Sequence, residues 1–321
     1  MPSVSVIVPV YNVEPYIARC VRSLFGQTLQ DMEFIFVDDC SQDKSMDIMR
    51  QVLEEEFPAR IPQVKVFRMP HNSGLRRVRI QGVSMATGEY IIHCDSDDMV
   101  EQDAYRIMYE KAIEGKYDIV TCDFRFVGLP IPRIQSQTSA PGREIADILI
   151  GKVWGNVWCR LFKKELWEDM IPPQFDLWED MVFTIQAFTK ATRFGYVPMP
   201  LYNYCVRANS MLWGSKEVLK HCSSIYANSQ IVIECLNNQS VKCDRVDIIS
   251  FKYRCRDRLL PYVHIREYYR IWRSIFPEID RVFLFTRGIS FGTKFWFVLI
   301  HLHLYHPWKM ITHPQRVLTR Y

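Results

Sequence analysis

Three carboxylates, Asp95, Asp97 and Asp98, lie within four residues of one another directly after an apolar run. Unpaired, their charges would repel one another and raise one another's pKa. A hard divalent cation removes that repulsion, and carboxylate oxygens are the ligands that Mg²⁺ and Mn²⁺ prefer. Because Mg²⁺ commonly binds through one or two carboxylates together with substrate phosphates, the cluster predicts a divalent-cation site that also holds a diphosphate. The alternative is an acidic turn that caps a helix.

Two other polar segments follow apolar runs in the same way. One covers residues 9–12 and contains Tyr11, and the other covers residues 38–41 and contains Asp39. In a doubly wound sheet, ligands bind beyond the carboxyl ends of the parallel strands. We therefore expect the three segments to meet at one edge of a sheet and to share a ligand.

The elements that carry these segments alternate along the first half of the chain. Short apolar runs predict strands, and the amphipathic segments between them predict helices. The predicted strands cover residues 4–8, 34–37, 64–67, 90–93 and 118–122, and the predicted helices cover residues 16–25, 45–56, 76–85 and 104–114. This alternation predicts an α/β fold with a mostly parallel, Rossmann-like sheet flanked by helices on both faces.

The pattern changes after Cys122. Residues 128–142 are rich in Pro, Gly, Ser and Gln, which predicts a mobile loop or a lid. Beyond Lys216 the sequence predicts a helical extension, with breaks near Pro261 and Pro277.

The C-terminal part is basic and aromatic. Residues 241–321 carry 15 Lys and Arg against 6 Asp and Glu, whereas the whole chain of 321 residues has a net charge of +4. The apolar run 295–305 is shorter than the roughly 20 residues of a spanning helix. It predicts a buried helix or an interfacial helix on an anionic membrane, flanked by Lys294, Trp296, Trp308 and Lys309. The arginines at 254, 256, 258, 266, 270 and 273 are typical of a solvated helix face.

The cysteines indicate a reducing compartment. Ten are scattered along the chain without a C-x-x-C pair, and no basic leader precedes the first predicted strand. We therefore expect reduced thiols and a cytoplasmic protein, with peripheral attachment to the inner face of the membrane through the basic tail. The sequence contains no zinc-knuckle, helix-turn-helix or RNP-like pattern, so no nucleic-acid partner is expected.

Four ordered motifs resemble those of a known family. Residues 4–43 contain VSVIVPVYN, SLFGQT and MEFIFVDDCSQD, and residues 71–98 read HNSGLRRVRIQGVSMATGEYIIHCDSDD. These blocks resemble the opening and the middle of family-2 glycosyltransferases of the GT-A fold, including the family's D-x-D motif. The tripeptide 178–180 (WED) is similar to its acidic pair, and residues 201–210 are similar to its Y-x-Y-R-x-R-x-x-S stretch. The resemblance covers about residues 3–213.

The resemblance implies how a nucleotide-sugar donor is bound. Pro9, Tyr11 and Asp39 would hold the nucleotide base, Tyr11 by stacking and Asp39 by accepting a base N–H. Arg79 would support the nucleotide or its phosphates. Arg207 would be the cation nearest to the departing diphosphate, because the family often has another arginine where this chain has Cys205.

The resemblance also implies the chemistry. Asp95 and Asp97 would bind the ribose and the metal–diphosphate, with Asp98 adjacent, and the metal would be Mn²⁺ or Mg²⁺. Asp180 would be the general base, with Glu179 beside it. The alternative for this pair is an acidic helix N-terminus stabilised by the helix dipole. The expected reaction moves a sugar, with inversion, from a nucleoside-diphosphate donor (UDP by default) to a hydroxyl of a lipid-linked or surface glycan.

Three further positions depart from the family's usual residues. Cys40 stands where the family usually has Gly, Ile80 where it usually has Asn, and Arg160 where it favours Lys. We expect the turn at Cys40 to differ in shape. None of the departures removes a carboxylate that the reaction needs.

These observations predict a GT-A catalytic domain over residues 1–213 and a helical, basic and aromatic region over residues 214–321. The catalytic domain would divide into a nucleotide-binding half, residues 1–122, and an acceptor half, residues 123–213. Two alternatives remain open. A nucleotidyltransferase that makes a nucleotide-sugar would share the sheet and the metal, although it usually has a Gly-rich loop after its first strand. A non-catalytic nucleotide-sugar-binding protein would not need Asp180.

Overall fold

The computed structural model describes residues 2–131, 133–206, 218–238 and 243–305. The described strands are β1 Val4–Val10, β2 Met32–Asp38, β3 Val64–Arg68, β4 Tyr90–His93, β5 Met99–Val100, β6 Ile119–Val127, β7 Arg133–Gln135, β8 Arg160–Lys163 and β9 Phe194–Cys205. The described α-helices are α1 Glu14–Phe25, α2 Ser45–Glu56, α3 Leu75–Met85, α4 Ala104–Gly115, α5 Glu144–Ile150, α6 Glu179–Lys190, α7 Val218–Asn238, α8 Arg245–Arg254, α9 Arg266–Ser274 and α10 Phe291–His301.

All nine described strands belong to one sheet, in the order β3-β2-β1-β4-β8-β6-β9-β5, with β7 paired to β6. Strands β3, β2, β1 and β4 are parallel, as the alternation of strands and helices predicts. Strand β8 joins this half to β6 through antiparallel pairings on both sides, while β6 and β9 are parallel. The whole sheet is therefore mixed. Each antiparallel pairing involves β7, β8 or β9, which follow the regular strand–helix alternation.

Helices cover both faces of the sheet, so β1 and β2 are buried along their whole length and are mostly apolar. Val4, Val6 and Val8 of β1 belong to a core that includes residues of α1, α2 and α4. Ile7, which points to the opposite face, belongs to a second core shared with α3, α6 and α7. That second core also contains Phe251 of α8, so the C-terminal helices pack on the same face of the sheet as α3 and α6.

The predicted elements of the first half are confirmed, with small shifts at their ends. Helix α2 has the predicted bounds, and α1 begins two residues earlier than predicted, at Glu14, where Pro15 is favoured in the first turn. The prediction for residues 128–142 is wrong in part, because this segment contains β7. Strand β7 pairs with an extension of β6 that reaches Val127.

The described part of the C-terminal region is helical, and its predicted breaks are short 3₁₀ turns at Asp257–Tyr262 and Pro277–Arg281. The prediction that the arginines form a solvated helix face is wrong for Arg256, whose side chain is fully buried. Its guanidinium pairs with Asp280 at 2.7 Å, donates to the carbonyls of residues 275 and 276, and lies 4.5 Å from the centre of the Trp272 ring. Arg266, Arg270 and Arg273 are exposed.

The apolar run 295–305 lies largely in α10 and buries part of its surface. Phe297, Leu299 and Ile300 are buried, whereas Phe291 is 84% exposed at the start of the helix. Within the described ranges, no helix combines the length and the apolar character needed to cross a membrane. Of the residues predicted to flank an interfacial helix, Trp308 and Lys309 lie outside the described part of the chain.

Candidate active site

The three polar segments at the strand ends meet, as predicted, at one cavity of about 710 Å³. This is a size typical of ligand sites in proteins. The parallel pairing of β1 with β2 and β4 brings these strand ends to the same edge of the sheet. Among the residues that line the cavity are Tyr11, Asp39, Asp95, Asp97, Glu179 and Asp180. The cavity thus brings together the strand-end carboxylates and an acidic pair far away in sequence.

Asp39 is positioned by the backbone of the loop before α3. Its buried carboxylate accepts hydrogen bonds from the backbone N–H groups of Ser73, at 2.7 Å, and Gly74, at 2.9 Å. Each carboxylate oxygen has a second lone pair, so these bonds do not exhaust its capacity to accept from a ligand. Tyr11, at the end of β1, is 46% exposed and lines the same cavity. Pro9 also lines it.

The turn after Asp39 contains Cys40, one of the departures from the family pattern. Cys40 has a φ of +65°, in the left-handed region that glycine enters at little cost. A residue with a Cβ costs about 1–2 kcal/mol there. The turn therefore keeps a shape suited to glycine even though a cysteine occupies it, and the expectation that it differs in shape is wrong.

Arg79 joins the two groups of carboxylates. Its side chain is 2% exposed, with Nη2 2.8 Å from Asp95 Oδ1 and Nε 3.3 Å from Glu179 Oε1. Burial by itself would lower the pKa of this guanidinium, but the carboxylates of Asp95, Glu179 and Asp180 raise it overall. Arg79 is therefore a permanent buried cation between the turn after β4 and the start of α6.

Glu179 and Asp180 lie in the first turn of α6, where the helix dipole favours negative charge. Burial is the main cause that raises the pKa of both carboxyls, Asp180 to about 6 and Glu179 to about 8. The charge of Asp180 further raises the pKa of Glu179, while Arg79 opposes both shifts. Near neutral pH the pair therefore holds about one proton.

Asp98 differs from the two carboxylates before it. It is 1% exposed, and both of its oxygens accept hydrogen bonds from β9: Oδ2 from the Tyr202 hydroxyl and Oδ1 from the Cys205 N–H, each at 2.7 Å. Burial and the neighbouring aspartates raise its pKa well above the ordinary range. Asp98 therefore ties the acidic turn to β9, which leaves it less able to bind a cation than Asp95 and Asp97.

The donor set suits a divalent cation that shares its ligands with a substrate. Asp95 and Asp97 are partly buried and line the cavity. Among the described residues, no group of three or more His, Cys, Asp or Glu side chains could hold a metal by itself. Two carboxylates completed by diphosphate oxygens and water are the usual surroundings of Mg²⁺. The residues present therefore fit the predicted Mn²⁺ or Mg²⁺.

Two side chains of the site were missed by reasoning from the sequence. Asp176 accepts a hydrogen bond from the Arg76 N–H, at 3.0 Å, and so caps α3 from a loop 100 residues further along the chain. Arg254, from α8, lines the cavity and donates to the carbonyls of Ile148 and Leu149. Neither residue belongs to a local motif that could have identified it. Arg207, predicted near the diphosphate, lies outside the described residues.

An acidic turn at the carboxyl edge of a Rossmann-like sheet thus shares one cavity with a buried acidic pair, at the edge where such sheets bind their ligands. The chain belongs to glycosyltransferase family 2, since the profile described as Glycosyl transferase family 2 matches residues 5–181.

Similar proteins agree with this assignment. The chain is 32% identical over 225 residues to "Uncharacterized glycosyltransferase EpsJ" of Bacillus subtilis, covering 66% of this chain and 63% of that protein. It is 30% identical over 258 residues to "Cholesterol galactosyltransferase" of Borreliella burgdorferi, covering 73% and 70%. The chain thus spans less than two thirds of the length of EpsJ.

Solved structures share the fold. Residues 1–349 of S. aureus TarS, in complex with UDP-GlcNAc, superpose with a TM-score of 0.64 at 19% identity, covering 98% of this chain and 91% of that one. The mannosyltransferase PcManGT from Pyrobaculum calidifontis, in complex with GDP-Man and Mn²⁺, gives a TM-score of 0.55 at 17% identity, covering 99% and 85%. At these identities the likeness shows the fold alone.

The different surroundings of Asp97 and Asp98 lead to a stability prediction. Asp98→Ala is expected to lower the free energy of unfolding by about 2–4 kcal/mol, because the Tyr202 hydroxyl and the Cys205 N–H each lose a buried partner. Asp97→Ala should change it by less than about 1 kcal/mol, because its side chain is only partly buried. Urea denaturation of both variants beside the wild type measures the difference. Equal losses would contradict a structural role specific to Asp98.

Proposed function

We propose that this chain transfers a sugar from a nucleoside-diphosphate sugar to an acceptor hydroxyl, with inversion at the anomeric carbon. The observation that carries the proposal is the single cavity lined by both Asp95–Asp97 and the buried pair Glu179 and Asp180. The reaction needs one set of groups that binds the donor and a base that removes the proton of the acceptor hydroxyl. Both must lie close to the anomeric carbon at which the two substrates meet. Family membership supports the same reaction class.

On the donor side, Tyr11 stacks on the nucleotide base, Pro9 packs against it, and Asp39 accepts a base N–H. Tyr11 is suited to stacking because it is 46% exposed and lines the cavity. Asp39 is suited to its role because two backbone N–H groups already hold its carboxylate in place. Arg79 acts on the donor through Asp95, which it orients by a 2.8 Å ion pair.

Asp95 and Asp97 would hold the Mn²⁺ or Mg²⁺ together with the diphosphate. When bound, the cation acts as a Lewis acid that stabilises the negative charge of the leaving diphosphate. The partial burial of both carboxylates strengthens their attraction for a cation relative to a fully solvated site. The family resemblance gives Arg207 a supporting role at the diphosphate.

Asp180 is the general base that accepts the proton of the attacking hydroxyl. Its pKa, raised to about 6 by burial, is high enough for useful basicity and still leaves it ionised at neutral pH. Glu179, with the higher pKa, keeps its proton and is held by Arg79. A single base and a single displacement support inversion.

The donor is proposed to be UDP-linked, the family's commonest choice. The fold is shared with TarS in complex with UDP-GlcNAc, although PcManGT binds GDP-Man. A thermal-shift panel of nucleotides and nucleotide-sugars, with and without Mn²⁺, tests the donor. We expect UDP and one UDP-sugar to raise the unfolding temperature by several degrees, and Mn²⁺ to enhance the rise in the wild type but not in Asp97→Ala. No response to any nucleotide would contradict the proposal.

The base assignment is tested by two isosteric variants of the acidic pair. Asp180→Asn is expected to lower the transfer rate by about 10²–10⁴-fold, the usual contribution of a general base. Glu179→Gln should be milder, because it replaces a carboxyl that is already protonated. Initial rates with the donor found above measure both. The reverse order would assign the base to Glu179.

The pH profile gives the control for this assignment. Since Asp180 must be ionised, kcat/KM of the wild type should rise as the pH increases through about 6 and then level off. The residual activity of Asp180→Asn should lack this rise. A rise that persists in Asp180→Asn would show that another group titrates.

The acceptor is proposed to be a glycan or a lipid-linked glycan at the cytoplasmic face of a membrane. One relative is named for transfer to cholesterol, a lipid alcohol. Phe285 and Phe291 are 85% and 84% exposed, and Arg281 and Arg287 lie near them in the sequence. Exposed aromatic rings beside basic side chains suit the headgroup region of an anionic membrane.

Vesicle flotation tests this surface with the full chain. We expect the wild type to float with vesicles that contain phosphatidylglycerol and to float less with neutral phosphatidylcholine vesicles. Phe285→Ser combined with Phe291→Ser should reduce recovery on the anionic vesicles severalfold. Ile131→Ser, which alters an apolar side chain that is 79% exposed elsewhere, is the matched control. Equal recovery of all three proteins would contradict membrane attachment through this surface.

A further inference from the structure

The loop that leads into the acidic pair is held by a residue of the C-terminal helices. Residues 171–178 have no regular secondary structure, and they end at Trp178, whose φ of +67° lies in the left-handed region. A loop in such a conformation persists only where its surroundings hold it. Its backbone polar groups must therefore find partners outside the loop.

Asn228, in the middle of α7, supplies four of those hydrogen bonds. Its Oδ1 accepts from the N–H groups of Gln174, at 2.9 Å, and Phe175, at 3.3 Å. Its Nδ2 donates to the carbonyls of Phe175, at 2.9 Å, and Leu177, at 2.8 Å. An amide side chain has two donors and two acceptor lone pairs, so every position is used.

The burial of Asn228 indicates that these bonds are required. The residue is fully buried, between apolar neighbours of the same helix stripe such as Ile225 and Val232. A buried amide without partners costs several kcal/mol, whereas a fully bonded one orders its surroundings. A buried position on the apolar face of a helix would ordinarily carry an apolar residue. The hydrogen bonds to the loop account for an asparagine at this position.

The other contacts of the loop place it between the C-terminal helices and the donor site. At its start, Gln186 of α6 exchanges hydrogen bonds with the backbone of Ile171, at 2.7 and 2.9 Å. Asp176 caps α3, the helix that carries Arg79. Trp178 stacks on Phe251 of α8, with ring centres 6.2 Å apart. Asn228 therefore holds the middle of a segment whose two ends are already attached.

We propose that Asn228 is a positioning residue for the transfer reaction, through the loop that precedes Glu179 and Asp180. The inference rests on the proposed function of Asp180. Leu177 is bonded directly to Asn228, and Asp180 follows it by three residues. A displacement of about 1 Å at a reacting group can cost about 100-fold in rate. The donor-side carboxylates Asp39 and Asp95 are held by Ser73, Gly74 and Arg79, which lie outside this loop.

The test compares Asn228→Ala with Ser224→Ala in the full chain. Ser224 is also buried on α7, but its hydroxyl donates to the Lys220 carbonyl of the same helix. We expect Asn228→Ala to lower kcat about 10- to 100-fold, with the donor KM within about threefold of the wild type. Hydrogen exchange of the backbone amides of Gln174 and Phe175 should accelerate at least about tenfold. Ser224→Ala should show neither change.

Several outcomes would overturn the proposal. A wild-type kcat in Asn228→Ala, with or without faster loop exchange, removes the catalytic role. Parallel losses of kcat and donor binding, matched by Ser224→Ala, would indicate general destabilisation instead. If Asn228→Ala does not fold, Asn228→Ser, which is smaller and still polar, is measured in the same way. Asp180→Asn is assayed alongside: full activity there contradicts the proposed base, whereas exchange at Gln174 and Phe175 still reports on the loop.

Discussion

The site depends on one buried cation, the guanidinium of Arg79. Its ion pair with Asp95 and its hydrogen bond to Glu179 join the carboxyl edge of the parallel strands to the start of α6. Without this cation, the partly or fully buried carboxylates of Asp95, Glu179 and Asp180 would repel one another at low local dielectric. Helix α3 brings Arg79 to this place because it packs closely on β1. Gly82 makes that approach feasible, since a Cβ there would overlap the side chain of Ile7.

The acidic side chains of the site differ in their partners and in their protonation. Asp95 is paired with Arg79, whereas both carboxylate oxygens of Asp98 accept hydrogen bonds from β9. Glu179 and Asp180 share about one proton near neutral pH, since burial raises both of their pKa values. Carboxylates that are close in sequence therefore have different chemistry, because each meets a different partner in the folded chain. This division is what allows one cavity to offer both a cation site and a base.

The C-terminal helices are part of the same structure as the site. Residues such as Phe251 and Trp272 belong to the core that also contains Ile7 of β1. The family profile ends at residue 181, yet Arg254 lines the cavity and Asn228 holds the loop before α6. The division into domains at residue 213 stays a prediction from the sequence. Whatever the boundary, the helices beyond it supply polar contacts to the catalytic part.

The sequence by itself determined the parallel half of the sheet, its helices, and the three polar strand ends, because these follow from local periodicity and from the rule that ligands bind at carboxyl ends. The motif resemblance added Glu179 and Asp180. Only the tertiary structure decided that Asp98 bonds to β9 and that Arg79 bridges two acidic groups. It also decided that the loop before α6 is attached to α7 through Asn228 and to α3 through Asp176. Those contacts join residues that are 16 to more than 100 positions apart. Their partners are chosen by packing across elements, which no local pattern encodes.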